Sequence, residues 1–215
     1  MICVSIADVS IEEACNIASR AEICEIRLDR LNFEESHLPE LFGCGNTVAT
    51  FRPCKKADDE LRMKTLARAI ECGATYVDVE VENSDSFKKY IKDCASTHKC
   101  KTIVSYHDYE KTPSMRELEL LINWCFDSGA DIAKIACFNS SYCDAARILS
   151  LYSFDRPIIS IGMGEAGKIT RVAAILLGAP FTYASIDEGK GTAPGQIDSV
   201  TLTKIIDLIS GSNGK

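Results

Sequence analysis

The sequence predicts an α/β protein, a single (β/α)8 TIM barrel that spans residues 1–215. A short β-branched run, a turn and a helical pattern recur about every 25 residues, as in β-α repeats. Eight such units fill the chain without a linker or low-complexity stretch. The length of 215 residues is near the minimum for this barrel, and 46% hydrophobic residues can form one core.

Each repeat is expected to supply one strand and one helix. The strands are predicted at Ile2–Ile6, Ile23–Leu28, Thr47–Thr50, Tyr76–Val81, Lys101–Tyr106, Ile132–Ala136, Ile158–Ile161 and Phe181–Ile186. The helices are predicted near Ile11–Arg20, Glu34–Phe42, Asp59–Cys72, Ser86–Ala95, Ser114–Asp127, Tyr142–Tyr152, Lys168–Leu177 and Ser199–Ile209. Ser10 and Ser114 each precede a glutamate by three positions, the capping-box pattern of a helix start.

An open doubly wound sheet is the alternative architecture. Its glycine-rich dinucleotide loop would follow the first strand, but Ala7-Asp8-Val9-Ser10 stands there, so the closed barrel is favoured.

The charge of the chain limits its partners. A formal net charge of −7 disfavours nucleic acid or an anionic membrane as the main partner, although a small anion could still bind where arginines converge. Asp8, Glu12 and Glu13 argue against a secretory signal, and no apolar run approaches a membrane span. We therefore expect a cytoplasmic protein that acts on a small molecule.

The eleven cysteines are an odd number and include no C-x-x-C pair. Most lie in apolar or helical stretches, which favours free thiols in a reducing compartment. Cys94, His98 and Cys100 form one local group of possible zinc ligands, but no second paired motif completes a four-ligand site. We expect neither a metal nor an organic cofactor.

A lysine in an apolar strand is the most informative chemical feature. Lys134 lies within Ile132–Ala136, and His107 ends the preceding predicted strand. Burial of an unpaired ammonium favours the neutral amine, which attacks carbonyl groups, and a histidine can transfer the protons that imine chemistry releases. The pair predicts covalent lysine chemistry, although a lysine held at a barrel mouth by salt bridges is the more common structural explanation.

Other charged residues are expected to point into the barrel from strands two to four: Glu25, Arg27, Asp29, Arg52, Asp78 and Glu80. Inward charges must pair with one another or hold a polar ligand. Ion pairing explains Asp29 best, and Asp78 and Glu80 are expected mainly to neutralise the cations Arg27, Arg52 and Lys134.

Two loops at the predicted catalytic end are rich in glycine. Residues 162–171 follow strand seven and place Arg171 early in the next helix, where anions bind favourably. Gly189–Gln196 follows strand eight and is long for a βα loop, which suggests a lid or ligand clamp.

Together these residues resemble the type I 3-dehydroquinate dehydratase family, in order and through nearly the whole chain. The motifs are Glu-x-Arg-x-Asp at 25–29, T-F-R at 50–52, S-x-H at 105–107, K-I-A at 134–136, G-x-I-T-R at 167–171 and A-P-G-Q-I at 193–197.

The resemblance implies a lyase of the shikimate pathway that eliminates water from 3-dehydroquinate to give 3-dehydroshikimate. Lys134 would form the imine, His107 would transfer protons and Arg171 would bind the carboxylate. The remaining substrate contacts implied are Ser5, Glu25, Arg27, Arg52, Thr192 and Gln196. It also implies that no metal or cofactor is needed and that the protein forms a homodimer.

One position departs from the family pattern. Many members have a glutamate four residues after the strand-three arginine, where it orients the histidine, but this chain has Lys56. Asp58, Asp59 or Glu60 could substitute in a longer loop.

Two other functions compete with this interpretation. A class I aldolase of phosphorylated sugars would need a phosphate cradle, which Gly162, Gly164 and Lys168 could imitate. A non-catalytic binding barrel would be expected to have lost the His107–Lys134 pair, and both residues are present.

Overall fold

The computed structural model describes residues 1–187, 189 and 191–211 of the chain, so part of the Gly189–Gln196 loop lies outside the described residues. Eight parallel strands form one sheet in this part of the chain. They are β1 (Ile2–Ile6), β2 (Ile23–Arg27), β3 (Thr47–Thr50), β4 (Tyr76–Glu80), β5 (Lys101–Asp108), β6 (Ile132–Phe138), β7 (Ile158–Met163) and β8 (Thr182–Ser185).

Eight α-helices surround the sheet in the described residues. They are α1 (Ile11–Ala18), α2 (Leu38–Phe42), α3 (Asp59–Glu71), α4 (Asp85–Thr97), α5 (Met115–Asp127), α6 (Tyr142–Ser150), α7 (Lys168–Leu176) and α8 (Ser199–Ser210). None of these helices combines the length and apolar character that a membrane crossing requires.

The strand order confirms the predicted barrel. Strands β1 to β7 pair in chain order, and β8 pairs with β1, so the sheet curls into a nearly closed barrel with β7 and β8 at the seam. Arg171 of α7, the helix that follows β7, bridges this seam, because its guanidinium donates to the carbonyl of Tyr183 on β8 at 3.2 Å.

The predicted helix at Glu34–Phe42 is shorter in the structure. A 3-10 turn covers Glu35–His37 and α2 starts at Leu38, with Pro39 in its first turn. The proline fits the first turn of a helix because its ring nitrogen has no hydrogen to donate, whereas inside a longer helix it would remove a hydrogen bond.

Alternation along the strands divides the barrel interior into layers. The lower layer is apolar and includes Cys3, Ile23, Val48, Ile103, Ile132, Ile159 and Phe181. Two positions further along the strands the inward residues become polar, as in Ser5, Glu25, Thr50, Asp78, Ser105 and Lys134. The apolar layer closes the barrel below, so the polar side chains meet at the C-terminal end, where parallel barrels bind their ligands.

Candidate active site

A cleft at the C-terminal end of the barrel brings together every residue that the sequence proposed for the site. Its lining comprises Ser5, Glu25, Arg27, Arg52, His107, Tyr109, Lys134, Ala136, Ile161, Met163, Arg171, Tyr183, Thr192, Ala193 and Gln196. The residues come from six of the eight strands, from the segments that follow β3, β5 and β8, and from α7.

Lys134 is buried, with 5% of its surface exposed, but it is not unpaired. Its Nζ donates to Asp78 Oδ2 at 2.9 Å and lies 3.6 Å from Glu25 Oε1. The ring of Tyr183 faces the same nitrogen, with its centroid 4.1 Å away. Lys134 is therefore salt-bridged, as the structural alternative expected, and is not the unpaired ammonium from which covalent chemistry was inferred.

Asp78 connects Lys134 to a second cation. Its Oδ2 also accepts from Arg52 Nη2 at 2.9 Å, and its Oδ1 accepts from Ser105 Oγ at 2.6 Å. Burial alone would raise the pKa of this carboxyl, but Arg52 and Lys134 hold it well below its ordinary value. Asp78 therefore stays charged and fixes both cations at the mouth of the barrel.

Arg52 also belongs to a chain of ion pairs. Its Nη1 lies 3.7 Å from Glu80, and Glu80 accepts from Arg62 at 3.2 Å. Burial lowers the pKa of Arg52, but Asp78 and Glu80 raise it more, so the pKa exceeds that of a free arginine. The prediction that Asp78 and Glu80 neutralise nearby cations is confirmed.

His107 lies half-buried near the end of β5. Burial lowers its pKa well below the ordinary 6.5, and the charges of Arg52 and Lys134 lower it further. A histidine with a lowered pKa is a neutral imidazole near neutral pH, which is the form that can remove a proton.

Arg171 is the opposite of Arg52, because it is a buried cation without a counter-ion among the residues that the structure describes. Only 1% of its surface is exposed, and its Nε has no hydrogen-bond partner among the described residues. Burial lowers its pKa to about 10. A buried guanidinium with a free N–H favours an anionic ligand, and its planar fork matches a carboxylate.

The segment after β8 is tied to β1 through a short series of hydrogen bonds. Gln196 Oε1 accepts from the Thr192 N–H at 2.6 Å and from Thr192 Oγ1 at 3.1 Å. Gln196 Nε2 donates to Ser5 Oγ at 3.4 Å, and Ser5 Oγ donates to Glu25 Oε2 at 3.0 Å. The segment therefore covers the cleft and reaches a carboxylate that faces Lys134.

Arg27 and Asp29 form a bidentate ion pair, with distances of 3.0 and 2.7 Å. The ion pair expected for Asp29 is therefore present. However, β2 ends at Arg27 and Asp29 lies in a 3-10 turn, so the two-residue alternation does not extend to it. The backbone N–H of Arg52 also donates to Asp29, which links the ends of β2 and β3.

The glycine-rich loop after β7 packs against protein. A side chain at Gly162 would overlap Asn139, and one at Gly195 would overlap the carbonyl of Gly164. Lys168, the cation of the supposed phosphate cradle, pairs with Glu165 at 2.8 Å. The close contact of Gly164 and Gly195 instead holds the loops after β7 and β8 together.

A family assignment follows from comparison with known proteins. The family model for type I 3-dehydroquinase matches residues 2–213 of this chain. The chain belongs to this family. The protein named 3-dehydroquinate dehydratase from Methanococcus maripaludis strain C6 is 38% identical, over 97% of this chain and 100% of that protein. Its namesake from Methanocaldococcus jannaschii is 36% identical over 97% of this chain and 99% of that protein.

A solved structure agrees with this assignment. The type I 3-dehydroquinate dehydratase of Clostridium difficile, crystallised with covalently modified comenic acid, has a TM-score of 0.86 and 25% identity to this chain. The alignment covers 98% of this chain and 92% of that one.

The position that departs from the type I family pattern lies away from the catalytic cleft. Lys56 is exposed and lines a separate cavity beside α3, together with Leu61 and Lys64. Asp58 caps α3 by accepting from Leu61 N, Asp59 pairs with Arg62, and Glu60 pairs with Lys64. Each acidic residue considered as a substitute for the family glutamate therefore has another partner.

Two aromatic residues of the cleft escaped the sequence analysis. Tyr183 alternates with Phe181 and Ser185 along β8, so the two-residue period could have placed it inside the barrel. Tyr109 lies just after β5, where alternation gives no guidance.

Proposed function

We propose that this protein is a 3-dehydroquinate dehydratase that eliminates water from 3-dehydroquinate through a lysine imine to give 3-dehydroshikimate. The proposal also assigns it to the shikimate pathway of aromatic amino-acid biosynthesis. One observation carries it: a single cleft holds a buried lysine, a histidine with a lowered pKa and a buried arginine that has no counter-ion in the described part of the chain. The structural neighbour with covalently modified comenic acid is consistent with covalent chemistry in this family.

Lys134 starts the proposed reaction. Its amine attacks the ketone carbon, and the ammonium and ketone together yield an iminium and one water, so the positive charge stays on nitrogen. Asp78 lies 2.9 Å from that nitrogen and the Tyr183 ring lies 4.1 Å away, so a carboxylate and a π face both favour the cation. The iminium withdraws electrons and acidifies the adjacent carbon.

His107 moves the protons in the second stage. The neutral imidazole removes the proton beside the iminium carbon and then returns it to the departing hydroxyl, which leaves as water. Hydrolysis of the remaining iminium consumes one water, releases the product and restores Lys134. The water used in hydrolysis balances the water formed with the imine, so the net change is loss of one water from the substrate.

The rest of the cleft would bind the substrate. Arg171 would donate hydrogen bonds to the substrate carboxylate, because its Nε has no partner among the described residues. The negative charge of the carboxylate would also offset the cost of burying the guanidinium. Ser5, Glu25, Arg27, Arg52, Thr192 and Gln196 would hold the ring hydroxyls. In the described structure these residues bond to one another or to neighbouring side chains.

Borohydride trapping tests the proposal. Reduction in the presence of 3-dehydroquinate should add a mass of substrate size to the peptide that carries Lys134, and Lys134→Ala should lose both the adduct and turnover. Lys168→Ala is the matched control, because Lys168 lies at the same end of the barrel but is 44% exposed and pairs with Glu165. An adduct on Lys168, or no adduct on the wild type, would refute the assignment.

The homodimer and the cytoplasmic location are also part of the proposal. Light scattering at micromolar protein concentration should give twice the chain mass of 23.5 kDa, and a monomer mass would contradict the dimer.

A further inference from the structure

The orientation of His107 is not explained by any hydrogen bond. No described residue makes a hydrogen bond with its ring nitrogens, although a general base must point at the proton it removes. The ring that lies alongside it belongs to Tyr109, two residues further along the chain. The two ring centroids are 6.1 Å apart and their planes differ by 13°, which is an offset stack.

Most of the carboxylates near the cleft have other partners, and Glu82, which lines a pocket together with His107 and Tyr109, makes no hydrogen bond to the imidazole among the described residues. Asp78 accepts from Ser105, Arg52 and Lys134, and Glu80 pairs with Arg52 and Arg62. The acidic residues at the start of α3 cap that helix or pair along it. Among the described residues no carboxylate bonds to the imidazole, whereas the ring of Tyr109 is stacked beside it.

We propose that Tyr109 is a positioning residue. Its ring holds the His107 imidazole in the orientation that proton transfer needs and shields the imidazole from water. The kinetic part of this inference rests on the proposed function. Tyr109 lines the same cleft but is 66% exposed, so its substitution should not disturb the core. Its effect should therefore appear in the proton transfers and not in imine formation.

Stacking has a consequence for the protonation of His107. Burial is the largest cause of its lowered pKa, and under this proposal the stacked tyrosine ring contributes to that burial by excluding water from the imidazole. The charged groups that act on it are Arg52 from the end of β3, Lys134 from β6, Arg27 from β2 and Asp78 from β4. These groups remain when the ring is removed, so hydration alone should raise the protonation midpoint of His107.

Variants of Tyr109 test both effects. Tyr109→Ala should lower kcat about tenfold and move the acid limb of kcat to higher pH, while KM and the borohydride adduct on Lys134 stay close to wild type. Tyr109→Phe keeps the ring and should restore both kcat and the pH profile. Tyr142→Ala is the matched control, because Tyr142 is 76% exposed and does not line the cleft.

An NMR titration of the His107 ring makes the test independent of the substrate. The midpoint should rise towards 6.5 in Tyr109→Ala and stay near the wild-type value in Tyr109→Phe and Tyr142→Ala. A wild type that neither turns over nor traps 3-dehydroquinate would refute the proposed function, while the titration would still decide the role of Tyr109. An unchanged midpoint in Tyr109→Ala, a loss that phenylalanine does not restore, or an equal loss of imine formation would overturn this inference.

Discussion

The two sides of the barrel mouth differ in whether their buried charged groups are paired. On the side of β3, β4 and β6, Asp78 joins Arg52 and Lys134 in short ion pairs. On the side of β8 and α7, Arg171 lies buried without a counter-ion, and the Tyr183 hydroxyl has no hydrogen-bond partner among the described residues. Because an unpaired buried charge is costly, the second side is where a ligand would supply the missing partner.

Under the proposed function, the first side holds groups that would perform the reaction and the second side holds the group that would bind the substrate anion. Ion pairs on the first side hold the reactive nitrogen in place before any ligand arrives. On the second side the buried charge of Arg171 is unfavourable, and an anionic ligand would neutralise it. Most of the binding energy would therefore come from that side. Five tests would break or sharpen this comparison, and they are given in order of expected size.

Loss of the histidine should have the largest effect. His107→Ala should reduce kcat by about 10²–10⁴-fold, the usual contribution of general acid–base catalysis, yet still form the borohydride adduct on Lys134. Steady-state kinetics with adduct mapping by mass spectrometry would measure both. A near wild-type kcat would place the proton transfers on another group.

The lowered pKa of His107 also sets the direction of its pH dependence. Because the neutral ring is the base, activity should fall as pH drops through a midpoint below 6.5. Below about 6.5 the unfolded chain binds this proton more readily than the folded one, so the histidine should also lower stability as pH falls towards its folded pKa. An acid limb of kcat above 6.5 would contradict the lowered value.

Removal of Arg52 and removal of Arg171 should differ in their effect on the stability of the fold. Arg52→Met leaves Asp78 with one cation fewer and should lower the free energy of unfolding by about 3 kcal/mol. Arg171→Met removes a buried cation for which the described residues provide no counter-ion, so stability should hold or rise. Urea denaturation of the two variants measures the contrast, and an equal loss in both would mean that the two sides do not differ.

The sequence could predict the fold because eight repeats alternate strand and helix patterns and no segment interrupts them. It could also place the candidate residues in one cleft, because the C-terminal ends of parallel barrel strands converge. It also indicated that Asp78 could neutralise Lys134, but not the direct 2.9 Å hydrogen bond, since that contact joins residues 56 positions apart and depends on strand register. The stacking of Tyr109 beside His107 could not be predicted from the sequence, because it depends on the path of the loop after β5.

A conservative change of Arg171 tests the binding side by itself. Arg171→Lys keeps the charge but loses the planar fork that gives a carboxylate two parallel hydrogen bonds. We expect KM for 3-dehydroquinate to rise about tenfold with a smaller change in kcat. Arg156→Lys is a suitable control, because Arg156 bonds to Asn123 and its guanidinium lies over Phe126. None of these three residues lines the cleft. An unchanged KM in Arg171→Lys would mean that the carboxylate binds elsewhere.

The smallest effect should come from the segment that covers the cleft. Gln196 accepts two hydrogen bonds from Thr192 and donates one to Ser5, so Gln196→Ala should loosen the segment and lower kcat/KM about threefold. Thr192→Val removes only the hydroxyl bond and should change kcat/KM less. The Thr192 amide now donates to Gln196 at 2.6 Å, so it should exchange its hydrogen faster in Gln196→Ala, and ligand should slow that exchange in the wild type. Exchange that is the same with and without ligand, together with an unchanged kcat/KM, would show that the segment does not close over the substrate.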